Sequence, residues 1–247
     1  MIFKDLVNDG LAQELELETE GMGIEETLRH LSTRFQGEIV FSTSFGQEDQ
    51  VITDMIFTAD LPVLVFTLDT GRHFEETYKV MNQTLARYNK KIKVCFPDRS
   101  QVEKLLTQKG PFSFYESIEN RKECCHIRKV VPLQRMLNQA SCWITGLRAG
   151  QSENRHDLRK FSFDEANRVI KYNPLLEWSL EKVNEYLKQN HVPYNILHDR
   201  GFLSIGCAPC TRAVRPGEDL RAGRWWWENN TSKECGLHEN DHSVDKP

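Results

Sequence analysis

Long apolar runs are missing from this sequence, and no stretch approaches the length of a membrane span. The opening residues, MIFKDLVNDG, carry Asp5 and Asp9 early and contain no apolar run of signal length. Both absences point to a cytoplasmic chain. An excess of basic charge is missing too. With 32 Lys and Arg against 36 Asp and Glu, the net charge of -4 argues against bulk nucleic-acid binding. Several arginine clusters still leave room for local basic pockets. There is no internal repeat and no low-complexity segment beyond a short polar tail. No Walker A loop follows the first strand, because no Gly-Lys-[Ser/Thr] is present there. What remains, 39% hydrophobic and 28% charged in 247 residues, is the composition of a soluble enzyme able to bury a sizeable core.

Cysteine is not scarce: there are seven. In a reducing cytoplasm they read as metal ligands or catalysts rather than a disulfide framework. Cys95 and Cys142 lie inside the apolar runs Ile92–Phe96 and Cys142–Ile144, and are expected in the core as small hydrophobes. Cys124-Cys125 and Cys207-Ala208-Pro209-Cys210, about eighty residues apart, look like four ligands of one metal centre. Neighbouring residues on a helix point about 100° apart. Both members of the first pair can reach one centre if that centre is large and sits at a helix start. A [4Fe–4S] cube tolerates this better than one tetrahedral zinc, with zinc and a metal-free arrangement as the alternatives. Arg121, Lys122, Arg128 and Lys129 flank the first pair, and Arg212 and Arg215 the second. Such cations would offset thiolate charge and attract an anionic substrate; a solvated charged face is the plainer reading. Cys235 stands apart in Lys233–His238 as the candidate nucleophile, the plainer reading of its position being an exposed, idle thiol. Lys233 and His238 favour its thiolate, while Glu234 and Glu239 oppose it.

Strand-like and helical runs alternate along the chain. The first 35 or so residues read as helical. Strands are expected at Glu38–Ser42, Pro62–Thr67, Ile92–Phe96, Cys142–Thr145 and Arg168–Tyr172. Helices are expected at Glu48–Phe57, His73–Tyr88, Gln101–Leu106, Cys124–Arg135 and Leu180–Gln189. This alternation argues a parallel α/β sheet. The expected organisation is a helical segment over 1–36, a nucleotide-binding α/β domain over 37–200, and a chemistry-bearing C-terminal extension over 201–247.

Ligands of an open parallel sheet bind beyond the carboxyl ends of its strands. The first strand ends in Ser42-Thr43-Ser44-Phe45-Gly46-Gln47-Glu48-Asp49, where small residues allow a tight turn and helix-start N–H groups can hold an anion. The second ends in Leu68-Asp69-Thr70-Gly71-Arg72, which either touches a nucleoside or merely caps the next helix. A later strand end, Thr145–Ser152, offers Gly146 and Arg148, with Arg155 close behind; arginine forks match phosphate and sulfate oxygens. Arg221 and Arg224 form another pair, set between Cys210 and Cys235. The run Trp225-Trp226-Trp227 either docks this segment on closing or simply anchors it.

Assembled, these residues resemble the assimilatory sulfonucleotide reductases, and more narrowly the adenylyl-sulfate (APS) reductases that carry an iron–sulfur cluster. The resemblance runs from about Phe41 to His238. It rests on Cys124-Cys125-x-x-Arg128-Lys129, Cys207-x-x-Cys210-Thr211-Arg212, Gly217-Glu218-Asp219-x-Arg221-x-Gly223-Arg224-Trp225-Trp226-Trp227 and Glu234-Cys235-Gly236-Leu237-His238. It implies an adenine-nucleotide α-hydrolase-like α/β sheet of the PP-loop type with a C-terminal extension. Ser42, Ser44, Gly46, Glu48 and Asp49 would form a modified phosphate loop. Leu68, Asp69, Thr70 and Gly71 would line the adenosine pocket, and Gly146, Arg148 and Arg155 an arginine loop. Lys129, Arg221, Arg224 and His238 would contact the phosphosulfate end. Cys124, Cys125, Cys207 and Cys210 would bind a [4Fe–4S] cluster, and Cys235 would attack sulfur, with thioredoxin or a glutaredoxin-like protein as reductant. One departure is Phe45-Gly46-Gln47-Glu48-Asp49, where the family often has Ser-Gly-Ala-Glu-Asp. Rival readings are a reductase of the 3′-phosphorylated nucleotide (PAPS), an ATP-dependent tRNA thiolase, and a zinc-stabilised interaction module. The thiolase would carry a Ser-Gly-Gly-x-Asp-Ser loop and a basic RNA face, and neither is present. The oligomeric state, including a homo-oligomer, is left open.

Overall fold

Consecutive buried residues in the central strands build a six-stranded sheet covered on both faces. The computed structural model describes residues 3–151 and 158–228. Two helices come first, α1 (Asp9–Glu18) and α2 (Ile24–Arg34), followed by β1 (Ile39–Ser42), α3 (Gln47–Thr58), β2 (Leu64–Leu68), α4 (Glu75–Tyr88), β3 (Lys93–Cys95) and α5 (Arg99–Lys109). A continuous helical run then comprises α6 (Ile118–Cys125), a π turn (His126–Val130) and α7 (Val131–Leu137). The remaining elements are β4 (Cys142–Ile144), β5 (Phe161–Asp164), β6 (Val169–Tyr172) and α8 (Leu180–Gln189). Among the described residues no helix is long and apolar enough to cross a membrane.

The strand order is β3-β2-β1-β4-β6-β5. Every neighbouring pair is parallel except β5 with β6. The antiparallel β5 was not anticipated. Phe161-Ser162-Phe163-Asp164 is short and half polar, and it earns its place only by pairing with β6. A reversal with Arg168 in the left-handed region, at φ 52°, connects the two.

Alternate residues of the strands feed two cores, as the pleat requires. Ile39, Phe41, Val65 and Ile144 pack with Leu15, Leu28, Leu31 and Phe35 from the first two helices and with Val51 and Ile52 of α3. Val40, Phe66 and Trp143 pack on the other face with Leu133, Met136 and Leu137 of α7. Each such side chain contributes about 1.5–3 kcal/mol of burial free energy. The N-terminal helices therefore share one core with the sheet. Cys142 and Cys95 are buried in these two clusters, where the sequence placed them.

β1 has β2 on one side and β4 on the other. The connections leaving β1 and β4 diverge at this point, which opens a crevice beyond the carboxyl ends of the central strands.

Candidate active site

The turn from β1 into α3 is built around Asp49. Its Oδ2 accepts hydrogen bonds from the backbone N–H and the hydroxyl of Ser44, both at 2.6 Å. Phe45 takes a left-handed conformation, φ 60°, and buries its ring in the core. The strain of that backbone, about 1–2 kcal/mol, is offset by the ring's burial. Gly46 caps α3 with no side-chain hydrogen bond, so the first N–H groups of the helix are left to whatever enters the crevice. Burial pushes the Asp49 carboxyl up to about 6, with the Ser44 hydrogen bonds pulling the other way.

The end of β4 closes against this turn. A Cβ on Gly146 would fall 2.0 Å from Asp49 Oδ1, so only glycine permits the approach. Arg148, buried, donates from Nε to Glu48 at 2.8 Å and from Nη1 to the Trp178 carbonyl at 3.2 Å. Its charge is thus matched within the protein by Glu48.

A cavity of about 790 Å³ opens over these strand ends. Ser42, Ser44, Gly46, Glu48, Asp49, Leu68, Thr70, Lys129, Gly146, Arg148, Arg221 and Arg224 all line it. Asp69 and Gly71 do not, which corrects their expected placement in the pocket wall. Asp69 points back into its own turn, accepting from the Gly71 N–H at 2.8 Å and the Tyr78 hydroxyl at 2.9 Å. Burial first, and then this bond, pushes Tyr78 up to about 12. Gly71 supplies the left-handed step of the turn at φ 69°. Arg155, Cys235 and His238 lie outside the described residues.

The two cysteine pairs meet. Cys124, Cys125, Cys207 and Cys210 line one small cavity with Arg72, Arg121, Arg128, Lys129, Phe114 and Trp225. The first pair sits at the end of α6, where the run passes into the π turn, and not at a helix start as expected. The π turn alters the direction of successive side chains, so adjacent cysteines can serve one space. Arg212 and Arg215 do not line it. The Arg212 guanidinium is held by Glu218, at 2.8 and 3.0 Å. Arg72 takes the place expected of them. It follows the β2 turn, far in sequence from any cysteine, and its place at a strand end did not tie it to them. Arg128 donates to the Thr70 carbonyl at 2.6 Å, and the Thr70 hydroxyl lies 3.3 Å from Cys207 Sγ. The same turn therefore touches both cavities.

Burial raises the Cys124 thiol and pushes Cys210 up to about 12, with Cys207 adding to the latter. Thiolates at such sites need compensating positive charge, which a bound metal supplies. Among the described residues no group of three or more His, Cys, Asp or Glu side chains converges so as to hold a metal ion. Four thiols lining one cavity with Arg72, Arg121, Arg128 and Lys129 are a donor set with compensating charge close by. By the chemistry of four thiols and their ring of cations, these residues fit an iron–sulfur cluster.

Lys129 and Cys207 line both cavities and form part of the wall between them. The segment from Gly201 to Glu228 reaches this wall through few regular elements. Ala208 N–H donates to the Arg72 carbonyl at 2.8 Å, and Thr211 bridges to Arg224. Of the three tryptophans, Trp225 is buried, Trp227 packs on Tyr115 at 4.4 Å between ring centroids, and Trp226 is 40% exposed. Glu228 closes the segment on Arg121 in a buried two-point ion pair, at 2.7 and 3.2 Å.

Sequence reasoning missed His73, Trp178 and His198 as cavity-lining residues. His73 follows the β2 turn, and its Nε2 donates to the Leu68 carbonyl at 3.0 Å. Its position just past Gly71 was the only signal available. Trp178 and His198 arrive from the far end of the chain, where no strand-end rule applies.

Residues 38–213 match the phosphoadenosine phosphosulfate reductase domain. A protein of Agrobacterium fabrum named adenosine 5′-phosphosulfate reductase is 48% identical over 202 residues, covering 82% of this chain and 78% of that protein. One of the same name from Burkholderia cepacia is 47% identical over 201 residues, covering 81% and 80%. A crystal structure of phosphoadenylyl-sulfate reductase from Candida auris, a phosphate complex, superposes with a TM-score of 0.70. It is 27% identical, covering 84% of this chain and 98% of that one.

Proposed function

The chain belongs to the phosphoadenosine phosphosulfate reductase domain family, and from that premise we propose that it reduces adenosine 5′-phosphosulfate to sulfite and AMP. The reading is supported by the names of its relatives and carried by one observation. A nucleotide-sized cavity at the sheet's strand ends shares Lys129 and Cys207 with a pocket of four cysteines. The open N-terminus of α3 suits the phosphate. Lys129, Arg221 and Arg224 bring positive charge to the end where the cavities meet. That is where a phosphosulfate anhydride would place its negative charge.

Cys235 is the nucleophile in this proposal. Its thiolate attacks the sulfur of the sulfonucleotide; an S–S bond forms, the bond from sulfur to the phosphate oxygen breaks, and AMP leaves. The cysteine then carries a sulfonate group, one hard step having been split in two. A dithiol reductant of the thioredoxin or glutaredoxin type attacks the Cys235 sulfur and releases sulfite. Its second thiol resolves the mixed disulfide, so two electrons pass from dithiol to product. Lys129 and the arginines offset charge gathering on the departing phosphate. Cys124, Cys125, Cys207 and Cys210 would hold a [4Fe–4S] cluster, which would partly neutralise the four thiolates and make the wall beside the cavity rigid, the positive charge there coming from Lys129 and the neighbouring arginines. The enzyme would work in the cytoplasm.

The test uses sulfur-labelled adenosine 5′-phosphosulfate without reductant. The protein should retain label, and Cys235→Ser should retain none while still binding AMP. Label fixed equally in that variant would refute the thiol step. Anaerobically purified protein should absorb in the visible and contain iron, and Cys210→Ser should lose both. An iron-free, colourless and fully active protein would refute the cluster. Side-by-side turnover of the 3′-phosphorylated nucleotide defines the substrate.

A further inference from the structure

Trp225 sits between the two cavities in a way the proposed chemistry has not used. Its ring is 1% exposed, and its backbone holds the left-handed region at φ 42°, a strained choice for a bulky residue. Such strain persists only where the surroundings dictate it. Two guanidinium carbons lie over this one ring, that of Arg121 at 4.6 Å from the centroid and that of Arg224 at 4.7 Å. Arg121 faces the cysteine cavity, and Arg224 faces the nucleotide cavity.

The two arginines are balanced differently. Arg121 has Glu228 in a buried two-point pair. Arg224, 7% exposed, has among the described residues no carboxylate partner. Its Nη1 donates to the Ser204 hydroxyl at 3.2 Å, and its Nε is buried without a partner. A buried guanidinium of this kind is stabilised by the negative face of an aromatic ring, and it is completed by an incoming anion. Gly206 makes the remaining room. A Cβ there would stand 2.4 Å from Arg224 Nη2 and 2.6 Å from Cζ. Trp225 and Gly206 together leave the guanidinium a single slot at the cavity wall.

We propose that Trp225 and Gly206 are positioning residues for the nucleotide's anionic end, acting through Arg224: the ring holds the guanidinium and the glycine gives it space. The inference rests on the reading of the large cavity as the sulfonucleotide site. It adds a distinct claim, that substrate affinity is set partly by a residue facing the cysteine cavity. Glu228 secures the arrangement, because it neutralises the second cation on the same ring.

The experiment compares Trp225→Leu, Trp225→Phe and Gly206→Ala in the full chain. It measures KM and kcat for adenosine 5′-phosphosulfate, the inhibition constant of AMP, and visible absorption. Trp225→Leu should raise KM about thirtyfold, the factor that corresponds to a desolvated cation–π contact, with a smaller change in kcat. Trp225→Phe retains a ring and should recover most of that loss. Gly206→Ala, which leaves the tryptophan alone, should raise KM in the same direction. Absorption per protein should stay that of the wild type in Gly206→Ala and Trp225→Phe. Wild-type KM in both Trp225→Leu and Gly206→Ala would overturn the inference. So would a fall in kcat at constant KM that phenylalanine fails to rescue. If Trp225→Leu does not fold, Gly206→Ala decides alone. Failure of the wild type itself to turn over the nucleotide would instead overturn the proposed function.

Discussion

Replacing Gly146 with alanine tests how the strand-end turn is held. Gly146 does not occupy the left-handed region, so the cost of the change is steric. The new Cβ would lie 2.0 Å from Asp49 Oδ1 and 3.2 Å from its Cγ, where ordinary contact begins at 3.4 Å. The carboxylate must therefore retreat by about 1.4 Å, the difference between 3.4 and 2.0 Å. It cannot retreat and keep both 2.6 Å bonds from Ser44. Hydrogen bonds to a charged group contribute about 1.5–3 kcal/mol each. Losing both, with some relaxation, costs about 3–5 kcal/mol. For a chain of this size each kcal/mol moves Tm by about 2–4 °C, so a fall on the order of 10 °C is expected. The assay is thermal unfolding of Gly146→Ala, Asp49→Ala and the double variant. With the carboxylate gone the clash disappears, so Gly146→Ala should cost under about 1 kcal/mol in the Asp49→Ala background. A Gly146→Ala protein that melts with the wild type would refute the reasoning. An equal cost in both backgrounds would do the same.

Two further outcomes follow from the same geometry. Glu228→Gln removes the carboxylate from the buried two-point pair with Arg121, and should destabilise the protein by about 3–5 kcal/mol in denaturant unfolding. A change below about 1 kcal/mol would mean that the pair is solvated. Asp49 titrates near 6 when folded and 3.8 when unfolded, so between those values the folded state binds more protons. Its contribution to stability should accordingly rise as pH falls from about 7 to about 4, by about 3 kcal/mol at roughly 1.4 kcal/mol per unit. Asp49→Asn should remove that component of the pH slope, and identical slopes for the two proteins would exclude it.

Much of the frame was legible because it rests on local apolar pattern. Ile39–Ser42, Leu64–Leu68 and Cys142–Ile144 lie within continuous buried runs, and those strands were placed within a residue or two. β5 was not legible, since Phe161–Asp164 has no pattern until β6 pairs with it. Helix identity was clear at α3, α4 and α8, whose apolar residues recur at helical spacing. The start of the cysteine-bearing helix was misplaced by six residues, Ile118 for Cys124. Ile118–Glu123 is mostly polar and carries little periodicity, and its buried side chain is the charged Arg121. At the site, the turn residues of β1 and β4 were legible because ligand crevices follow strand ends. The direction of Asp69 was not legible, because a carboxylate in a turn can face a ligand or, as here, its own turn, and sequence does not distinguish them.

The sequence by itself determined the chemical inventory: four paired thiols, a lone Cys235, a small-residue turn after β1, and arginines enough for an anion. Those facts are fixed by residue identity and short spacing. Only the tertiary structure decided which of them meet. It set Arg72 rather than Arg212 beside the cysteines, spent Arg148 on Glu48, and made Lys129 and Cys207 a common wall. The reason is physical: a buried charge goes to whatever partner the packed backbone brings within reach, and that partner stands anywhere along the chain.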